Sequence, residues 1–560
     1  MSVLTRGIRA AAETSSTGLT TGIGTDAGRS TWGEVGEQAH RLAAGLASRG
    51  VSCHGSVAVL ATDPAEVAPL AQAIWLRRAA LTMLQHPTPR GDLAVWLADT
   101  VRAIKMVRAD VVVVGEAFLS AADHLSAHNL AVCGIASLSE SAPIDPAEID
   151  EAEETDIALR QLTSGSTGAP KAVEISHSNV AVHTVVMRDA LDVNPETDIL
   201  ASWVPLSHDM GMLAFLCLPM QLGVETACIT PEQFLRRPLS WAELIDENHA
   251  TMTAGPNFAY SVLARHFQRA EPGQFDLSSL RVAAFGAEPL NHRDIADFTA
   301  AGARFGLRPT APTSAYGIAE ATLTVSLGAP HEQPIIDRVS RTALEDGCAR
   351  PVRADSTDAQ HIVCLGFPGA GMDLRVTRDR EVLGPREVGT IELRGPLVAE
   401  HYLTPDGIID IAGHDGWFDT GDLGYLDEQG RVYVCGRTKD LIVLAGRNLY
   451  PHDIERAAEN VDGVRKGSVI AVRIDAEREG FAVLAEVHSL NDEDARLRIR
   501  RDITAQVNRR VGRAPREVRL FPAGTLPKTA SGKLRRNAAR ALLDRAEPGA
   551  AQPNSAPPTD

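Results

Sequence analysis

The sequence has few cysteines, few aromatic residues and no long hydrophobic run. Its 560 residues include seven cysteines with no C-x-x-C pair, and aromatic residues make up 4%. An odd number of widely spaced cysteines is typical of reduced thiols in the cytosol and disfavours a disulfide framework or zinc site. The most apolar stretch, residues 210–229, is interrupted by Pro219, Gln221 and Glu225. We therefore expect a buried core segment there, not a membrane span.

The N-terminal residues lack the apolar core of a signal peptide, so we expect a cytoplasmic protein. Positive charge is also in deficit, with 55 Lys and Arg against 72 Asp and Glu, a net charge of −17. This balance disfavours nucleic acid as a partner. Residues 440–545 differ, because 21 Lys and Arg there face 15 Asp and Glu, a net charge of +6. This basic part indicates either a domain that meets an acidic partner or the solvated surface of an Arg-rich helix.

The chain is long enough for three or four structural units. Residues 32–110 alternate amphipathic helical patterns with short apolar runs, which is typical of an α/β domain with a parallel sheet. Residues 366–436 have a strand–turn–strand pattern, and an Arg-rich helix is predicted near 494–511. The predicted organisation is a large domain over 1–437 (subdomains of about 1–155, 156–365 and 366–437), a small domain over 438–545, and a disordered tail over 546–560.

The strongest motif is LTSGSTGAPKAVEISHSN, residues 162–179. Its glycines allow backbone amides to turn inward, its hydroxyls supply donors, and its lysine adds a positive charge, which together predict an anion-binding nest for phosphates. The spacing does not fit a Walker A loop. The alternative is an ordinary flexible Gly/Ser turn. The residues predicted to surround the phosphates are Thr163, Ser164, Gly165, Ser166, Thr167, Gly168 and Lys171.

The string TSGSTGAPK resembles the phosphate loop of the ATP-dependent adenylate-forming superfamily, which includes acyl-CoA ligases, luciferases and peptide-synthetase adenylation domains. Six further blocks follow in the superfamily's order: SWVPLSHDMGM (202–212), FGAEPL (285–290), SAYGIAEAT (314–322), GWFDTGDLGYLD (416–427), GRTKDLIVLAGRNLYPHDIE (436–455) and LPKTASGKLRR (526–536). The resemblance implies an α/β fold, in which a large N-terminal domain has two α/β subdomains and a small β-barrel-like subdomain. A small, mobile α+β C-terminal domain would follow.

Within that superfamily, SHDMGM and GRNLYPHDIE resemble motifs of the fatty acyl-AMP ligases. The 46 positions from Glu320 to Gly366 also resemble the insertion that marks those enzymes. This resemblance implies that ATP and Mg²⁺ activate a medium- or long-chain fatty acid. The acyl group would then pass to the phosphopantetheine thiol of an acyl carrier protein or a synthase carrier domain. The insertion is expected to hinder the domain movement that thioester formation with CoA needs.

The resemblance also implies roles for single residues. Lys533 would reach the carboxylate and the α-phosphate, and Glu320 would hold Mg²⁺ among phosphate oxygens and waters. Without their motifs, both would be interpreted as ordinary surface residues. Asp422 is expected to accept the ribose hydroxyls and Arg437 to contact ribose or phosphate. The remaining ATP-binding residues, expected around the adenine, are Gly286, Ala287, Glu288, Pro289, Tyr316 and Gly317.

Lys439 lies at the position of the family's hinge, although it could also be a surface lysine beside Asp440. The acyl pocket is predicted to include Trp203, His208, Asp209, Met210 and Met212, although Met and aromatic residues at this density are also typical of a core. A single adjacent His-Asp pair lacks the spacing of a metal site. The sequence departs from the family pattern at Ser207, Asp419, Ala445 and Leu449.

Three other functions remain open at this point. The first is an acyl-CoA ligase, which would form a thioester with free CoA. The second is an amino-acid-activating domain, raised by Asp209 near the place where such enzymes keep an acidic partner for an α-amine. The third is a catalytically silent nucleotide- or lipid-binding protein, which would release no pyrophosphate with any acid.

Overall fold

The structure is a computed structural model. It describes residues 1–87, 92–140, 151–164, 170–444, 447–474, 480–490, 492–528 and 534–543.

Strands occur along the whole described chain. They are β1 (Gly18–Thr21), β2 (Gly28–Thr31), β3 (Ser56–Leu60), β4 (Ala80–Met83), β5 (Val111–Val114), β6 (Val132–Gly134), β7 (Ile157–Ser164), β8 (Pro170–Ser176), β9 (Ile199–Ser202), β10 (Glu225–Cys228), β11 (Met252–Pro256), β12 (Val282–Gly286), β13 (Pro312–Gly317), β14 (Thr324–Leu327), β15 (Ile336–Ser340), β16 (Ala359–Val363), β17 (Phe367–Pro368), β18 (Asp373–Arg378), β19 (Glu381–Val382), β20 (Gly389–Arg394), β21 (His401–Thr404), β22 (Gly407–Asp410), β23 (Phe418–Leu426), β24 (Val432–Arg437), β25 (Ile442–Leu444), β26 (Arg447–Leu449), β27 (Val464–Ile474), β28 (Gly480–Val487) and β29 (Glu517–Phe521).

Helices alternate with these strands over most of the chain. They are α1 (Val3–Thr14), α2 (Trp32–Ser48), α3 (Pro64–Leu76), α4 (Leu93–Met106), α5 (Ala122–Ser126), α6 (His177–Ala190), α7 (Leu218–Leu222), α8 (Pro231–Arg236), α9 (Ser240–Glu247), α10 (Asn257–Phe267), α11 (His292–Gly302), α12 (Arg341–Glu345), α13 (Pro451–Glu459), α14 (Glu493–Val511) and α15 (Arg536–Arg540). The α/β class predicted from the sequence is confirmed, and the Arg-rich helix expected near 494–511 is α14.

Two large sheets dominate the fold. One has nine strands in the order β17-β14-β13-β12-β11-β9-β10-β1-β2, and the other has eight in the order β22-β21-β8-β7-β4-β3-β5-β6. The centre of each is parallel, as in the pairs β9–β10 and β3–β5. Parallel strands that are covered on both faces are rich in β-branched residues, and β5 is an unbroken run of four buried valines.

The sheets combine segments that are far apart in the sequence. Strand β7 lies beyond the predicted subdomain limit at 155, yet it pairs with β4 in the eight-stranded sheet. Strands β21 and β22 come from the predicted third subdomain and join the same sheet. Strands β18, β19, β20, β23 and β24 form a separate five-stranded sheet. Such pairings are non-local, so hydrophobic patterns read along the chain do not reveal them.

The chain divides into two compact units. Unit 1 consists of residues 1–339, 351–420 and 424–434. Unit 2 consists of residues 340–350, residues 421–423 and the described residues from Cys435 onward. Unit 2 contains the sheet β27-β28-β29, and α14 buries its Ile499, Ile503, Val507 and Val511 face in the core of that unit.

The apolar stretch that begins at Met210 is buried. Residues Met210–Cys217 form a π-helix, α7 continues it, and β10 follows in the nine-stranded sheet. All eight residues of the π-helix are buried. Among the described residues, no helix is both long and apolar enough to cross a membrane.

Candidate active site

The motif at 162–179 forms a β-hairpin in unit 1. Strands β7 and β8 pair in antiparallel fashion, with Thr163 opposite Lys171 and Ser164 opposite Pro170. Gly165, Ser166, Thr167 and Gly168 lie outside the described residues. The Thr163 hydroxyl is buried and has no hydrogen-bond partner in the part of the chain that the structure describes. An unsatisfied buried donor costs free energy, so this hydroxyl suits a polar ligand at the loop.

Lys171 and Glu320 meet at this hairpin. The Lys171 Nζ lies 3.4 Å from Oε1 of Glu320. The hydroxyl of Tyr402 donates a hydrogen bond of 2.6 Å to the same oxygen, and Nζ lies 3.6 Å from the centroid of the Tyr402 ring. The structure therefore brings two predicted site residues together and adds a tyrosine that the sequence reasoning missed. A tyrosine on a short strand gave no signal for a site.

Glu320 is held by its backbone as well as its side chain. It lies in a single 3₁₀ turn after β13, and its carbonyl accepts a 2.9 Å hydrogen bond from the Ala399 N–H. In the described part of the chain, the contacts of its carboxylate fall on Oε1 and none falls on Oε2. The described residues contain no cluster of three or more His, Cys, Asp and Glu that could hold a metal. A lone carboxylate fits Mg²⁺ only where phosphate oxygens and waters complete the shell.

The predicted adenine-binding segment begins at the end of β12. Ala287 has φ +67°, a left-handed conformation that is uncommon for a residue other than glycine and is often found at functional sites. Oε1 of Glu288 accepts a 2.6 Å hydrogen bond from the Phe258 N–H at the start of α10. Glu288 therefore caps a helix, a structural role that the sequence alone did not indicate. Pro289 follows at once in the chain.

Tyr316 and Gly317 end the neighbouring strand β13. Tyr316 is buried in the main core cluster of unit 1. A Cβ on Gly317 would lie 2.2 Å from the carbonyl oxygen of Leu323, so only glycine fits there. The motif that carries Glu320 thus has a glycine for close backbone approach.

The predicted acyl-pocket segment follows β9. His208 Nδ1 contacts Oδ1 of Asp209, which also accepts the Met210 N–H at 2.8 Å and so caps the π-helix. A Cβ on Gly211 would lie 2.3 Å from the Pro205 carbonyl oxygen. The H-D-M-G motif is therefore explained locally by a cap and a close approach. The departure Ser207 accepts a 2.9 Å bond from the Gln161 side chain through its carbonyl oxygen.

The apolar members of that segment are core residues. Trp203 stacks on Phe234 with ring centroids 3.9 Å apart, and Met212 is buried. Met210 is also buried, and its Cε lies 3.7 Å from the position of a Cβ on Gly286. Met210 thus lies beside the predicted adenine segment. A role of these residues in an acyl pocket stays a prediction.

His183 was missed in the sequence reasoning. It is fully buried on α6, and its Nε2 is 3.2 Å from the Thr324 hydroxyl. Burial lowers the pKa of His183 to about 4, so its ring is neutral near pH 7. The nearby Asp209 acts in the opposite direction on this pKa but is outweighed.

In unit 2, the two predicted ribose ligands are together. Arg437 Nε lies 2.9 Å from Oδ1 of Asp422. The Asp422 side chain is 4% exposed and that of Arg437 is 48% exposed. The predicted hinge residue Lys439 is exposed in a single 3₁₀ turn, Thr438–Asp440. Lys533 lies outside the described residues, so its catalytic role stays a prediction.

The remaining departures have simple surroundings. Leu449 is buried in the core of unit 2, and Asp419 is exposed. Ala445 lies outside the described residues.

The tip of the predicted insertion, residues 340–350, belongs to unit 2. Arg447 contacts the Glu345 carboxylate, with Nε 2.7 Å from Oε2, and the Asn448 side chain donates a 3.2 Å bond to the Glu345 carbonyl. Val339 and Pro351 form an isolated antiparallel bridge at the base of the tip. The sequence indicated the insertion but not its partners.

Comparisons with known proteins agree with this geometry. The family model described as AMP-binding enzyme matches residues 9–403, and the chain belongs to this family of adenylate-forming enzymes. The chain is 47% identical to the Mycobacterium tuberculosis protein Rv1013, named as a ligase, over 94% of this chain and 96% of that one. It is 33% identical to the long-chain-fatty-acid–AMP ligase FadD32 of Mycolicibacterium smegmatis, over 70% and 69% of the two chains.

Solved structures give the same result. A fatty acyl-adenylate ligase from a study of the E. coli and L. pneumophila enzymes superposes with a TM-score of 0.88 at 26% identity, covering 97% of both chains. A fatty acid AMP ligase from Legionella pneumophila matches with a TM-score of 0.71 at 26% identity, covering 97% of this chain and 96% of that one. The predicted family and fold are confirmed.

Proposed function

We propose that this chain adenylates a medium- or long-chain fatty acid with ATP and then transfers the acyl group to the phosphopantetheine thiol of a carrier protein. The observation that carries the proposal is the Lys171–Glu320 pair at the phosphate-loop hairpin, together with the similarity to fatty acyl-AMP ligases along the chain.

In the first step, a carboxylate oxygen of the fatty acid attacks the α-phosphorus of ATP. The bond from this phosphorus to the bridging oxygen breaks, and pyrophosphate leaves. Both reactants are anionic, so the enzyme must position them and offset their repulsion. Lys171 places a positive charge at the phosphate loop, Thr163 offers a buried hydroxyl, and Asp422 with Arg437 provides a ribose and phosphate site within unit 2.

Mg²⁺ would be held by Glu320 together with phosphate oxygens and waters. When bound, it neutralises charge on the phosphates. Oε2 of Glu320, which has no protein contact among the described residues, fits this donor set. The Tyr402 hydroxyl and Lys171 ammonium keep Oε1 engaged.

In the second step, the thiol loses its proton, its sulfur attacks the acyl carbon as a thiolate, the bond from that carbon to the phosphate oxygen breaks, and AMP leaves. Whether the thiol belongs to a carrier or to CoA separates the two leading functions. The Glu345–Arg447 contact ties the insertion tip to β26 of unit 2. This contact lies within unit 2, so the preference for the acyl-AMP ligase over the acyl-CoA ligase rests on the similarity of the chain to fatty-acid–AMP ligases.

A product assay tests this choice. The enzyme is given ATP, Mg²⁺ and a series of fatty acids, with free CoA, with a phosphopantetheinylated carrier, or with neither. We expect acyl-AMP that accumulates, ignores CoA and is consumed by the carrier. Acyl-CoA formed at the rate of adenylation would contradict the proposal, and the protein would be a CoA ligase. Pyrophosphate release with amino acids alone would indicate an amino-acid-activating domain, and none with any acid a silent binding protein.

Lys533 can be tested directly with a matched control. Lys533→Ala is expected to lower adenylation by about 10³-fold or more while ATP still binds, because a cation at the reacting centre is lost. Lys528→Ala removes a nearby lysine that instead bonds the Gly467 carbonyl at 2.8 Å. Undiminished adenylation by Lys533→Ala would remove this residue from the mechanism.

The carrier is expected to be acidic and to meet helix α14. While the apolar side of α14 is buried, Arg498, Arg501 and Arg509 are exposed. Complementary charge chiefly raises association rates. Replacing these three arginines with glutamate should slow transfer to the carrier but leave adenylation unchanged, whereas Arg353→Glu in unit 1 should change neither. Unchanged transfer in the triple variant would show that α14 is only a solvated surface.

A further inference from the structure

Tyr402 contacts both charged side chains of the phosphate-loop site. Its hydroxyl donates to Oε1 of Glu320 at 2.6 Å, and its ring centroid lies 3.6 Å from Nζ of Lys171. A hydrogen bond to a charged acceptor and a cation over an aromatic face are both stabilising, and more so when the groups are partly buried. Tyr402 thus contacts the Glu320 carboxylate through its hydroxyl and the Lys171 ammonium through its ring.

The backbone fixes Tyr402 in this place. Strand β21 pairs with β8, with Tyr402 opposite Val173. Val173 and Lys171 are two residues apart on one strand and so point to the same face. Tyr402 is therefore the diagonal cross-strand neighbour of Lys171, a separation that aromatic and long side chains span. Tyr402 is buried in the core of unit 1, so its ring has little freedom to move.

The Lys171–Glu320 contact is longer than a strong ion pair. Nζ and Oε1 are 3.4 Å apart, whereas a charge-assisted N–H···O bond is usually about 2.7–2.9 Å. The Tyr402 hydroxyl occupies the same carboxylate oxygen, and its ring attracts the ammonium. Both contacts oppose a shorter distance between Nζ and Oε1, because the hydroxyl holds the Glu320 carboxylate and the ring holds the Lys171 ammonium.

The Tyr402 hydroxyl is the donor in its bond to Glu320, because a carboxylate oxygen can only accept.

We propose that Tyr402 is a positioning residue that holds Lys171 and Glu320 near each other and keeps them from forming a tight ion pair. Lys171 then stays available to phosphate oxygens, and the Glu320 carboxylate stays available to a divalent cation. This inference rests on the proposed adenylation function for its meaning, but its binding test does not depend on turnover. Without the hydroxyl, Lys171 would close on Oε1 and neutralise the carboxylate.

The test is Tyr402→Phe, which removes only the hydroxyl. We expect a roughly three- to tenfold rise in the Mg²⁺ concentration that gives half-maximal ATP–pyrophosphate exchange. The KM for dodecanoate should not change. In calorimetry, ATP affinity with Mg²⁺ should fall by the same factor, while ATP affinity without Mg²⁺ should not. The matched control is Tyr425→Phe, which removes a buried hydroxyl that bonds Oδ2 of Asp337 at 2.7 Å.

Three outcomes would overturn the inference. Tyr402→Phe could show the Mg²⁺ dependence of the wild type, or it could lose ATP affinity equally with and without Mg²⁺. Its effect could also persist unchanged in a Lys171→Met background, where the pair no longer exists to close. If the wild type binds Mg·ATP but forms no acyl-adenylate, the proposed function fails while the calorimetric comparison still decides the role of Tyr402.

Discussion

The two units hold the carboxylates of Glu320, Asp422 and Glu345 in different ways. In unit 1, Glu320 is held by Tyr402, whose ring is fixed in the core, and by a lysine that shares the same tyrosine. In unit 2, Asp422 and Glu345 are each 4% exposed and are met by Arg437 and Arg447, whose side chains are 48% and 33% exposed. A long arginine that reaches in from solvent can withdraw without repacking a core. We therefore expect Glu320 in unit 1 to keep its contacts, whereas the arginine contacts of Asp422 and Glu345 in unit 2 can break and form again.

Among the variants that test this difference between the units, Glu320→Gln is expected to have the largest effect. Loss of the carboxylate charge should lower the kcat of acyl-adenylate formation by about 10²–10³-fold, because the Mg²⁺ that would neutralise charge at the phosphates is held less tightly. Asp422→Asn in unit 2 should instead raise the KM for ATP more than it lowers kcat, because a contact to ribose, as proposed for Asp422, would be equal in ground and transition states. Steady-state kinetics of pyrophosphate release separate the two. The same pattern from both variants would mean that the units do not divide the work in this way.

Acid should weaken unit 1 through its buried histidines. His177 and His183 are both 0% exposed, and burial lowers the pKa of each to about 4 from 6.5. Between pH 6.5 and 4 the unfolded chain binds protons that the folded chain does not, so stability falls as the pH falls through this window. The loss is at most about 3 kcal/mol for each histidine.

Chemical denaturation at pH 7 and pH 4.5 measures this effect. His177→Gln should reduce the difference in the free energy of unfolding between the two pH values, whereas His124→Gln at an exposed position should not. An unchanged pH dependence in His177→Gln would show that this ring is already protonated in the folded protein at pH 4.5.

The smallest effect concerns the insertion tip. A double-mutant cycle with Glu345→Gln and Arg447→Met should give a coupling free energy of about 1–2 kcal/mol, since the carboxylate is buried but the arginine is partly exposed. Hydrogen exchange of the β25 and β26 amides reports it locally. The surface pair Arg353–Asp355, with side chains 90% and 78% exposed, should give a coupling near zero. Equal coupling free energies in both pairs would show that the Glu345–Arg447 contact stabilises the insertion tip no more than a surface ion pair does.

The motifs predicted the family and the α/β fold, which are confirmed, and they gave Glu320, Lys171, Asp422 and Arg437 as site candidates, whose roles stay predictions. Each of these lies in a string that resembles a motif of the family, and the resemblance implies its role. Tyr402 and Glu345 could not be found in the same way. Their partners are far away in the sequence, 82 positions for Tyr402 and Glu320 and 102 for Glu345 and Arg447. A pattern read along one chain carries no information about such pairs.

The acyl segment shows the opposite limit. Trp203 and Met212 were identified as pocket or core, and the structure gives both ordinary core packing. Apolar side chains that line a ligand and those that fill a core have the same composition and periodicity. Chain-length preference therefore depends on packing details that residue types do not encode.

Because residues 340–350 and 421–423 fold with the C-terminal part of the chain, unit 2 is not one continuous segment of the sequence. A fragment that begins at Cys435 would lack Asp422 and Glu345, and so would have neither the partner of Arg437 nor the partner of Arg447. Domain exchange between relatives at that junction would therefore combine the arginines of one protein with the carboxylate segments of another. A functional chimera must transplant three stretches of sequence at once.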